Sequence, residues 1–346
     1  DVLPVRNGIL NLKTAELMPH DPALLYTRHV PITYDPNADC PLFKEFLAWG
    51  IKEDLEMFTY MQMVMGYCLT GEHHEQSFFM LFGPGSTGKS RLLKVLRNLV
   101  GPYACELDKK HLMQKRAMQT ADEHLARLRG ARIATATEVG QMDRFDEDLI
   151  KKLTGGEPIN ARFLMQNSFD FNPQFKLWVS GNFKPDIRDP GNSFWRRLKV
   201  IEFGETVTNG DHTLDQKFEA ELPGILNFAL EGAALWYEKG LRTPKAVETS
   251  ILEYRDDVDV VGKFLRECTI VTEDPTDKIG IKVLYEAYRS WEKKYQTWDT
   301  SLKAFGIELK YRAEIRQKRG KSGVYVIGRK LIDPEQTELD SEGGEA

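Results

Sequence analysis

The sequence contains the run Gly83-Pro84-Gly85-Ser86-Thr87-Gly88-Lys89-Ser90 between an apolar segment, Phe78–Phe82, and a helical pattern, Arg91–Val100. Glycines let a backbone curl so that its N–H groups point inward at phosphate oxygens. A lysine at this spacing places its charge on the β- and γ-phosphates, and the serine hydroxyl can ligate Mg²⁺. The helix that follows presents its positive N-terminus to the same anion. Because a strand enters the loop and a helix leaves it, we predict that all eight residues bind ATP rather than form a chance glycine-rich turn.

Further strands follow the loop. Apolar segments at 133–137 and 175–180 alternate with helical stretches, which predicts a mainly parallel α/β sheet. Glu138 directly follows the first segment, where a carboxylate can position Mg²⁺ and polarise the attacking water. The alternative is that Glu138 caps the next turn. Asn182 follows the second segment, where its amide could orient water against the γ-phosphate.

A pair of arginines, Arg196 and Arg197, precedes an apolar run, Leu198–Ile201. Such a pair is often ordinary surface charge. Its place after a third strand of the nucleotide sheet favours arginine fingers that reach the ATP of a neighbouring subunit. A residue of that kind can raise turnover by roughly 10³–10⁵.

Composition limits the class of protein. The chain has 346 residues, is 41% hydrophobic and carries a net charge of −5, so any nucleic-acid contact must come from local basic patches. The four cysteines show no zinc spacing and are expected to be reduced thiols in a cytoplasmic protein. The longest apolar stretch, residues 225–237, is interrupted by polar residues and is not expected to span a membrane. Since residue 1 is Asp rather than Met, we expect a piece of a longer protein.

The domain organisation is predicted from changes of pattern along the chain. Two helical patterns within 1–75 suggest an N-terminal mainly helical region, followed by an ATPase domain over 76–242. Three helices and a hairpin over 243–332 suggest a winged-helix module. Residues 333–346 hold six acidic and no basic residues, which favours a disordered tail.

The order of these motifs resembles superfamily 3 helicases, in particular the helicase half of phage and plasmid primases and the poxvirus primase-helicase. The resemblance is carried by the ATP loop, the strand ending in Glu138, Lys-Lys-Leu-Thr-Gly-Gly-Glu at 151–157, Ile-Asn-Ala-Arg-Phe at 159–163 and Trp-Arg-Arg at 195–197. It extends upstream to Asn7-Gly8-Ile9-Leu10 and downstream to 284–291, so it covers nearly the whole chain. Thr137 stands where many relatives have a second acid, and Glu157 stands where Asp is commoner.

The resemblance implies a P-loop core of the AAA+ type in a homo-oligomeric ring, usually a hexamer, with ATP and Mg²⁺ between subunits and single-stranded DNA in the pore. It implies that Lys89, Ser90, Glu138 and Asn182 are the catalytic and metal-binding set, with Arg196 as the finger and Arg197 as a second candidate. It also implies a primase or polymerase domain on the N-terminal side of the full-length protein.

DNA contacts are predicted in two basic regions. Residues 151–200 hold nine Lys or Arg against four Asp or Glu, and 306–330 hold eight against two Glu. Residues 159–172 of this chain resemble the pore hairpin of the family. The resemblance implies strands over Ile159–Met165 and Phe169–Phe171, with the tip at Gln166-Asn167-Ser168. The candidate DNA-binding residues are Lys152, Arg162, Phe163, Gln166, Asn167, Lys318, Arg319 and Lys321. Arg162 could instead brace the sheet or a subunit interface, and the C-terminal residues could be a solvated wing.

Two functions remain open at this point. The first is an ATP-dependent, ring-forming DNA helicase of phage or plasmid replication that moves on single-stranded or forked DNA, 3′ to 5′ as the resemblance suggests. The second is a replication initiator or loader that uses ATP as an assembly switch without processive unwinding. A small-molecule kinase would share the ATP loop but leaves the Asn-ended strand and Trp-Arg-Arg unexplained.

Overall fold

The computed structural model describes residues 1–114, 123–140, 143–188, 192–272, 274, 276–295, 300–312, 314–320 and 323–332. The chain divides into two compact units, residues 1–252 and 253–346. In chain order, the described elements of the first unit, with the helix that crosses the boundary, are β1 (Val2–Val5), β2 (Gly8–Asn11), β3 (Leu17–Met18), α1 (Pro41–Gly50), α2 (Leu55–Leu69), β4 (Phe78–Phe82), α3 (Lys89–Val100), β5 (Ala104–Glu106), α4 (Glu123–Ala126), β6 (Ile133–Val139), α5 (Glu147–Thr154), β7 (Ile159–Ala161), β8 (Phe169–Phe171), β9 (Lys176–Gly181), β10 (Leu198–Glu202), α6 (Leu214–Ala220), α7 (Leu222–Lys239) and α8 (Lys245–Val258).

The centre of the first unit is a five-stranded parallel sheet in the order β10-β4-β9-β6-β5. The predicted parallel α/β sheet is therefore confirmed. Strand β4 is buried over nearly its whole length, as a parallel strand covered on both faces should be. Because β9 and β6 follow β4 across the sheet, the carboxyl ends of these three strands meet at one edge.

The first 75 residues share a hydrophobic core with this sheet. Strands β1, β2 and β3 form an antiparallel sheet, and side chains such as Leu3, Phe43 and Met61 lie in one buried cluster with Phe79 and Leu81 of β4. The region predicted to be mainly helical thus also contains a small sheet, whose first hairpin turns at Arg6-Asn7, next to the Asn7-Gly8 pair that is typical of hairpin turns.

Helices α2 and α7 make the closest helix crossing in this core. A Cβ atom on Gly66 would lie 2.0 Å from the Ala233 nitrogen, and one on Gly232 would lie 1.9 Å from the Gln62 oxygen. Only glycine allows the two backbones to approach this closely. Helices α6 and α7 are separated at Glu221, whose carboxylate accepts hydrogen bonds from the first backbone N–H groups of α1.

The second unit has its own core, built around Phe264, Tyr288 and Phe305. It contains a three-stranded antiparallel sheet in the order β12-β14-β13 and a two-stranded pair, β11-β15. Its described elements are α9 (Val260–Cys268), β11 (Thr269–Val271), β12 (Lys278–Gly280), α10 (Ile281–Tyr295), α11 (Leu302–Tyr311), β13 (Arg316–Gly320), β14 (Gly323–Ile327) and β15 (Arg329–Leu331). The predicted acidic tail, residues 333–346, lies outside the described residues.

Candidate nucleotide-binding site

The loop at 83–88 connects β4 directly to α3. Gly88 has a φ of +88°, and a Cβ atom there would lie 2.8 Å from Cε2 of Phe46. Both the left-handed backbone and the close approach of α1 therefore require glycine at this position. The residues of the predicted ATP-binding run thus form a tight loop around the N-terminus of a twelve-residue helix.

Lys89 is folded back into its own loop. Its Nζ donates to the carbonyl oxygens of Gly83 at 2.8 Å and Pro84 at 2.5 Å, and to Oγ1 of Thr87 at 3.2 Å. Burial lowers the pKa of the Lys89 ammonium below its usual range. A phosphate in this loop would replace neutral carbonyl partners by charged ones, which form stronger hydrogen bonds with an ammonium.

Ser90 lies in the first turn of α3 and is exposed to the cleft in front of the loop. Its hydroxyl lies beside the backbone N–H groups that a helix leaves without partners at its N-terminus. A hydroxyl and a positive helix end at one place suit a phosphate oxygen together with a divalent cation.

Glu138 lies at a bulge in β6. The register against β9 shifts between Ala136 and Val139, and Glu138 has a φ of +62°. This conformation is unfavourable for a residue with a side chain and is often retained at functional sites. Glu138 is exposed and lines the cleft, and no basic residue in the described ranges forms an ion pair with it. Its carboxylate is therefore available to a cation or a water molecule.

Lys109, which sequence reasoning missed, holds the backbone of this bulge. Its Nζ donates to the Glu138 carbonyl oxygen at 2.7 Å and to Oδ2 of Asp143 at 2.8 Å. Oδ2 of Asp143 also accepts from the Gly140 N–H at 2.7 Å. Three hydrogen bonds thus fix the segment that begins at the Glu138 carbonyl and continues to Asp143. Lys109 lies nearly thirty residues before Glu138, so no local motif indicates the contact.

Asn182 follows β9 and is exposed at the same edge of the sheet. A Cβ atom on Gly85 would lie 4.0 Å from Nδ2 of Asn182, which places the amide against the loop. The structure therefore brings Lys89, Ser90, Glu138 and Asn182 together around one cleft of about 1090 Å³.

The far wall of the cleft was not predicted. Phe46 and Trp49 of α1 line it on one side, and the segment 207–212 lines it on another. That segment is held against the loop because the Val207 N–H donates to the Ser86 carbonyl at 3.1 Å. In the sequence, residues 205–213 look like an ordinary polar linker, so only the fold shows that they face the loop.

Arg196 and Arg197 lie at the opposite end of the sheet. Arg196 is exposed and donates to Oε1 of Gln76 at 2.7 Å, just before β4 begins. Arg197 is buried, and its guanidinium donates to the carbonyl oxygen of Ser193. Neither side chain lines the cleft. Of the two finger candidates, only Arg196 presents its charge to the surface.

The candidate pore hairpin is present but shorter than predicted. Strand β7 ends at Ala161 instead of Met165, because the chain turns at 163–166, where Met165 has a φ of +57°. Leu164 and Met165 are 68% and 98% exposed, so the tip presents apolar side chains. Of the DNA-binding candidates in this region, the exposed ones are Lys152, Arg162, Gln166 and Asn167. Phe163 is half-buried, with its ring centroid 5.9 Å from that of Phe169.

In the second unit, Lys318 and Arg319 lie on β13, whose residues are mostly exposed. The third candidate there, Lys321, lies outside the described residues. A basic antiparallel edge strand of this kind can contact phosphates without reading sequence.

Comparison with known proteins gives two family matches and several viral relatives. Residues 1–50 match a family described as D5 N terminal like, and residues 81–197 match a family of unknown function, DUF5906. The chain is 29% identical over 316 residues to a candidate helicase, L207/L206, of Acanthamoeba polyphaga mimivirus, covering 84% of this chain and 33% of that protein. It is 24% identical over 325 residues to a candidate helicase, 184R, of Invertebrate iridescent virus 6, covering 82% of this chain and 34% of that protein. The chain thus spans about a third of the length of these curated relatives.

A solved structure has a similar fold. The A form apo structure of the NrS-1 C terminal region is 12% identical, with a TM-score of 0.50, covering 87% of this chain and 77% of that one. At this identity the likeness concerns the fold alone. The resemblance to viral primase-helicases that the motifs indicate is confirmed by the D5 N terminal like match and by the helicase names of the viral relatives. Among the residues that the structure describes, no helix combines the length and the apolar character needed to cross a bilayer.

Proposed function

We propose that this chain is an ATP-dependent DNA helicase that works as a ring, with ATP hydrolysed between neighbouring subunits. One observation carries the proposal: the phosphate-binding loop, Glu138 and Asn182 converge on one cleft, whereas Arg196 lies exposed at the opposite end of the same sheet. Arg91 and Arg97 of the same chain line the cleft, whereas Arg196 is exposed at the far end of the sheet, and this placement suits two copies arranged head to tail.

ATP and Mg²⁺ fit the donors of the cleft. When bound, they supply the transferable γ-phosphoryl group and the positive charge that neutralises it. Lys89 would exchange its loop carbonyls for phosphate oxygens, and the Ser90 hydroxyl and the Glu138 carboxylate would hold the metal. Glu138 also accepts a proton from the attacking water, and the Asn182 amide orients that water. The fixed bulge keeps the carboxylate in place, which reduces the reorganisation required during reaction.

Arg196 completes the site of the adjacent subunit in this scheme. It stabilises the charge that develops on the phosphoryl oxygens, so hydrolysis depends on assembly. The AAA+ type of core, the superfamily 3 assignment and a hexameric ring follow from the resemblance and belong to the same proposal. So does a primase or polymerase part in the full-length protein, acting in the cytoplasm of the host cell.

The hairpin β7–β8 is proposed to contact single-stranded DNA in the ring, with movement 3′ to 5′. Its exposed Arg162, Gln166 and Asn167 can contact phosphates and sugars, and Phe163 offers a ring for stacking. The second unit, with its three helices and basic strand β13, is proposed as a winged-helix module that holds the duplex side of a fork.

Unwinding of labelled forks by the purified protein with ATP and Mg²⁺ tests the proposal. A strand with a 3′ tail is expected to be released, and Lys89→Ala is expected to abolish release. The double variant Gln166→Ala/Asn167→Ala is expected to lose unwinding while it keeps the assembled mass. If the wild-type protein assembles on DNA and hydrolyses ATP yet releases no strand, it is a loader instead of a helicase.

A further inference from the structure

A second cleft lies beside the edge strand β5, away from the phosphate-binding loop. It has a volume of about 690 Å³ and is formed by parts of the chain that are far apart in sequence: residues 25–28, 103–106 and 126–130, together with Phe163 of the hairpin. We refer to this cleft as the arginine–tyrosine groove.

The groove is lined by basic side chains. Arg28, Arg127 and Arg129 line it, against one carboxylate, Glu106. All three arginines are exposed, and none of them forms an ion pair with a carboxylate in the described part of the chain. Glu106 instead lies 3.9 Å from Arg97. Although the protein is acidic as a whole, this groove therefore presents a net positive surface.

Aromatic rings line the groove together with these cations. Tyr26 is 42% exposed, and Tyr103 and Phe163 complete the aromatic part of the lining. Guanidinium groups and flat rings in one groove suit a polymer that carries both phosphates and bases. An acidic protein surface would satisfy the charges but would leave the rings without a matching partner.

The groove is built rigidly. The Tyr103 hydroxyl donates to the Arg28 carbonyl at 2.8 Å, and the Arg28 guanidinium donates to the Pro102 carbonyl at 3.3 Å. Leu128, which stands between Arg127 and Arg129 in the sequence, is fully buried. The side chains of the two arginines therefore extend from the exposed side of this short segment. The loop at 25–28 is thus fixed to the edge of the sheet, and little ordering is needed on binding.

The groove is continuous with the hairpin. The guanidinium carbon of Arg129 lies 5.1 Å from the ring centroid of Phe169, and Phe169 packs against Phe163. A strand that contacts the hairpin can therefore pass directly into the groove without leaving the surface.

We infer that the arginine–tyrosine groove binds single-stranded DNA, as a second contact that continues from the hairpin. Arg127 and Arg129 hold phosphates, and Tyr26 stacks on a base. This inference rests on the proposed function, since it assigns a path to the same strand.

The test compares Arg127→Ala/Arg129→Ala with wild type for binding of a long fluorescent thymidine oligonucleotide from 50 to 200 mM salt. Each phosphate contact to a single strand contributes about 0.7 to the slope of log K against log salt, so the slope should fall by about 1.4. Over this range the affinity of wild type should then decrease about sevenfold more than that of the variant. Tyr26→Ala should weaken binding by about tenfold at any salt concentration.

The matched control is Arg242→Ala/Lys245→Ala, which removes two exposed positive charges that line neither cleft. Its salt slope is expected to stay at the wild-type value. Thermal melting and mass measurement check that each variant is folded and assembled. A photo-crosslink from 5-iododeoxyuridine in the oligonucleotide is expected on Tyr26 or Phe163.

Three results separate the possibilities. If wild type binds DNA and the groove variant keeps both its affinity and its slope, the groove assignment is wrong while the proposed function stands. If wild type binds no DNA, the proposed function itself fails. If the groove variant instead changes the mass of the assembly with an unaltered slope, the groove is a contact between copies and the DNA assignment is overturned.

Discussion

Replacing Arg196 by alanine should abolish ATP hydrolysis without affecting the subunit's own nucleotide cleft. Arg196 is exposed, and its guanidinium donates a hydrogen bond to Oε1 of Gln76. Truncation therefore removes a charge from the surface and leaves the core and the phosphate-binding loop intact. The expected loss of turnover is roughly 10³- to 10⁵-fold, with little change in ATP affinity.

Arg196 lies too far from the phosphate-binding loop of its own subunit to contact a nucleotide there. Strand β10 pairs in parallel with β4, with Leu198 opposite Phe78, which places Arg196 level with Gln76. Gly83 lies seven residues further along the chain, so at about 3.3 Å per residue the loop begins roughly 23 Å away. An arginine side chain cannot cross that distance. Any contribution of Arg196 to hydrolysis must then come from a neighbouring copy.

Mixing two inactive variants tests the arrangement. Lys89→Ala subunits have an inactive nucleotide site and an intact Arg196. Arg196→Ala subunits have an intact nucleotide site but lack the arginine. In a head-to-tail ring assembled from equal amounts, about one interface in four combines an intact site with an intact arginine. Turnover should therefore return to about a quarter of the wild-type value after subunit exchange.

Gln76→Ala is the matched control, because it removes the hydrogen bond that Arg196 makes within its own chain while it keeps the arginine; it also removes the bond from Gln76 Nε2 to the Gly155 carbonyl. We expect it to keep turnover within about twofold of wild type, since an exposed hydrogen bond contributes little net energy. Two results would refute the reasoning. One is an Arg196→Ala protein with near-normal turnover, and the other is a mixture that stays inactive although both variants assemble.

Three further predictions concern residues of the first unit. Glu138→Gln should lower turnover by about 10²- to 10⁴-fold while ATP still binds, because the amide cannot accept the proton of water. Steady-state kinetics and a nucleotide-binding titration check this, and equal losses in turnover and in ATP affinity would contradict it. Lys109→Met should lower turnover about ten- to a hundredfold through loss of its bonds to the Glu138 carbonyl and Asp143, with a nearly constant KM for ATP. The control variant Lys110→Met, at the adjacent position, should have no such effect. Equal effects of the two variants would exclude a role for Lys109 in positioning Glu138. Burial lowers the pKa of Lys176 to about 7 from 10.5, so this lysine takes up a proton on unfolding within that window, and the free energy of unfolding should rise with pH. Compared with the Lys176→Met variant, wild type should gain up to about 1.4 kcal/mol in free energy of unfolding per pH unit between about pH 7 and 10. Denaturant titrations at several pH values check this, and an equal pH dependence in the two proteins would contradict it.

The nucleotide loop could be predicted closely because its signal is local. Strand β4 has the predicted bounds Phe78–Phe82, and α3 begins at Lys89, inside the predicted run. An apolar strand, a glycine-rich turn and a helix follow one another within about twenty residues. Each part depends on neighbours in the sequence and on little else.

The hairpin shows where local patterns fail. The family resemblance implied a strand that continues to Met165, yet Leu164 and Met165 are exposed in a turn. Apolar character predicts burial in a monomer, and it misleads where side chains are presented to a partner. The two arginines show the same limit: only the packing of β10 distinguishes the exposed Arg196 from the buried Arg197.

Features made by distant segments could not be predicted at all. Lys109 reaches Glu138 across twenty-nine positions, and the arginine–tyrosine groove joins residues near 26, 103, 127 and 163. No periodicity or motif connects such residues, because the tertiary fold alone brings them together. The far wall of the nucleotide cleft at Trp49 belongs to the same class.

The central claim is that this chain couples ATP hydrolysis to single-stranded DNA in an assembly of several copies. The most direct test measures ATP turnover of the purified protein with and without single-stranded DNA, together with the mass of the assembly. The account predicts strong stimulation by DNA in a ring-sized oligomer, and loss of turnover on Lys89→Ala. A monomer whose ATP turnover does not respond to DNA would contradict it.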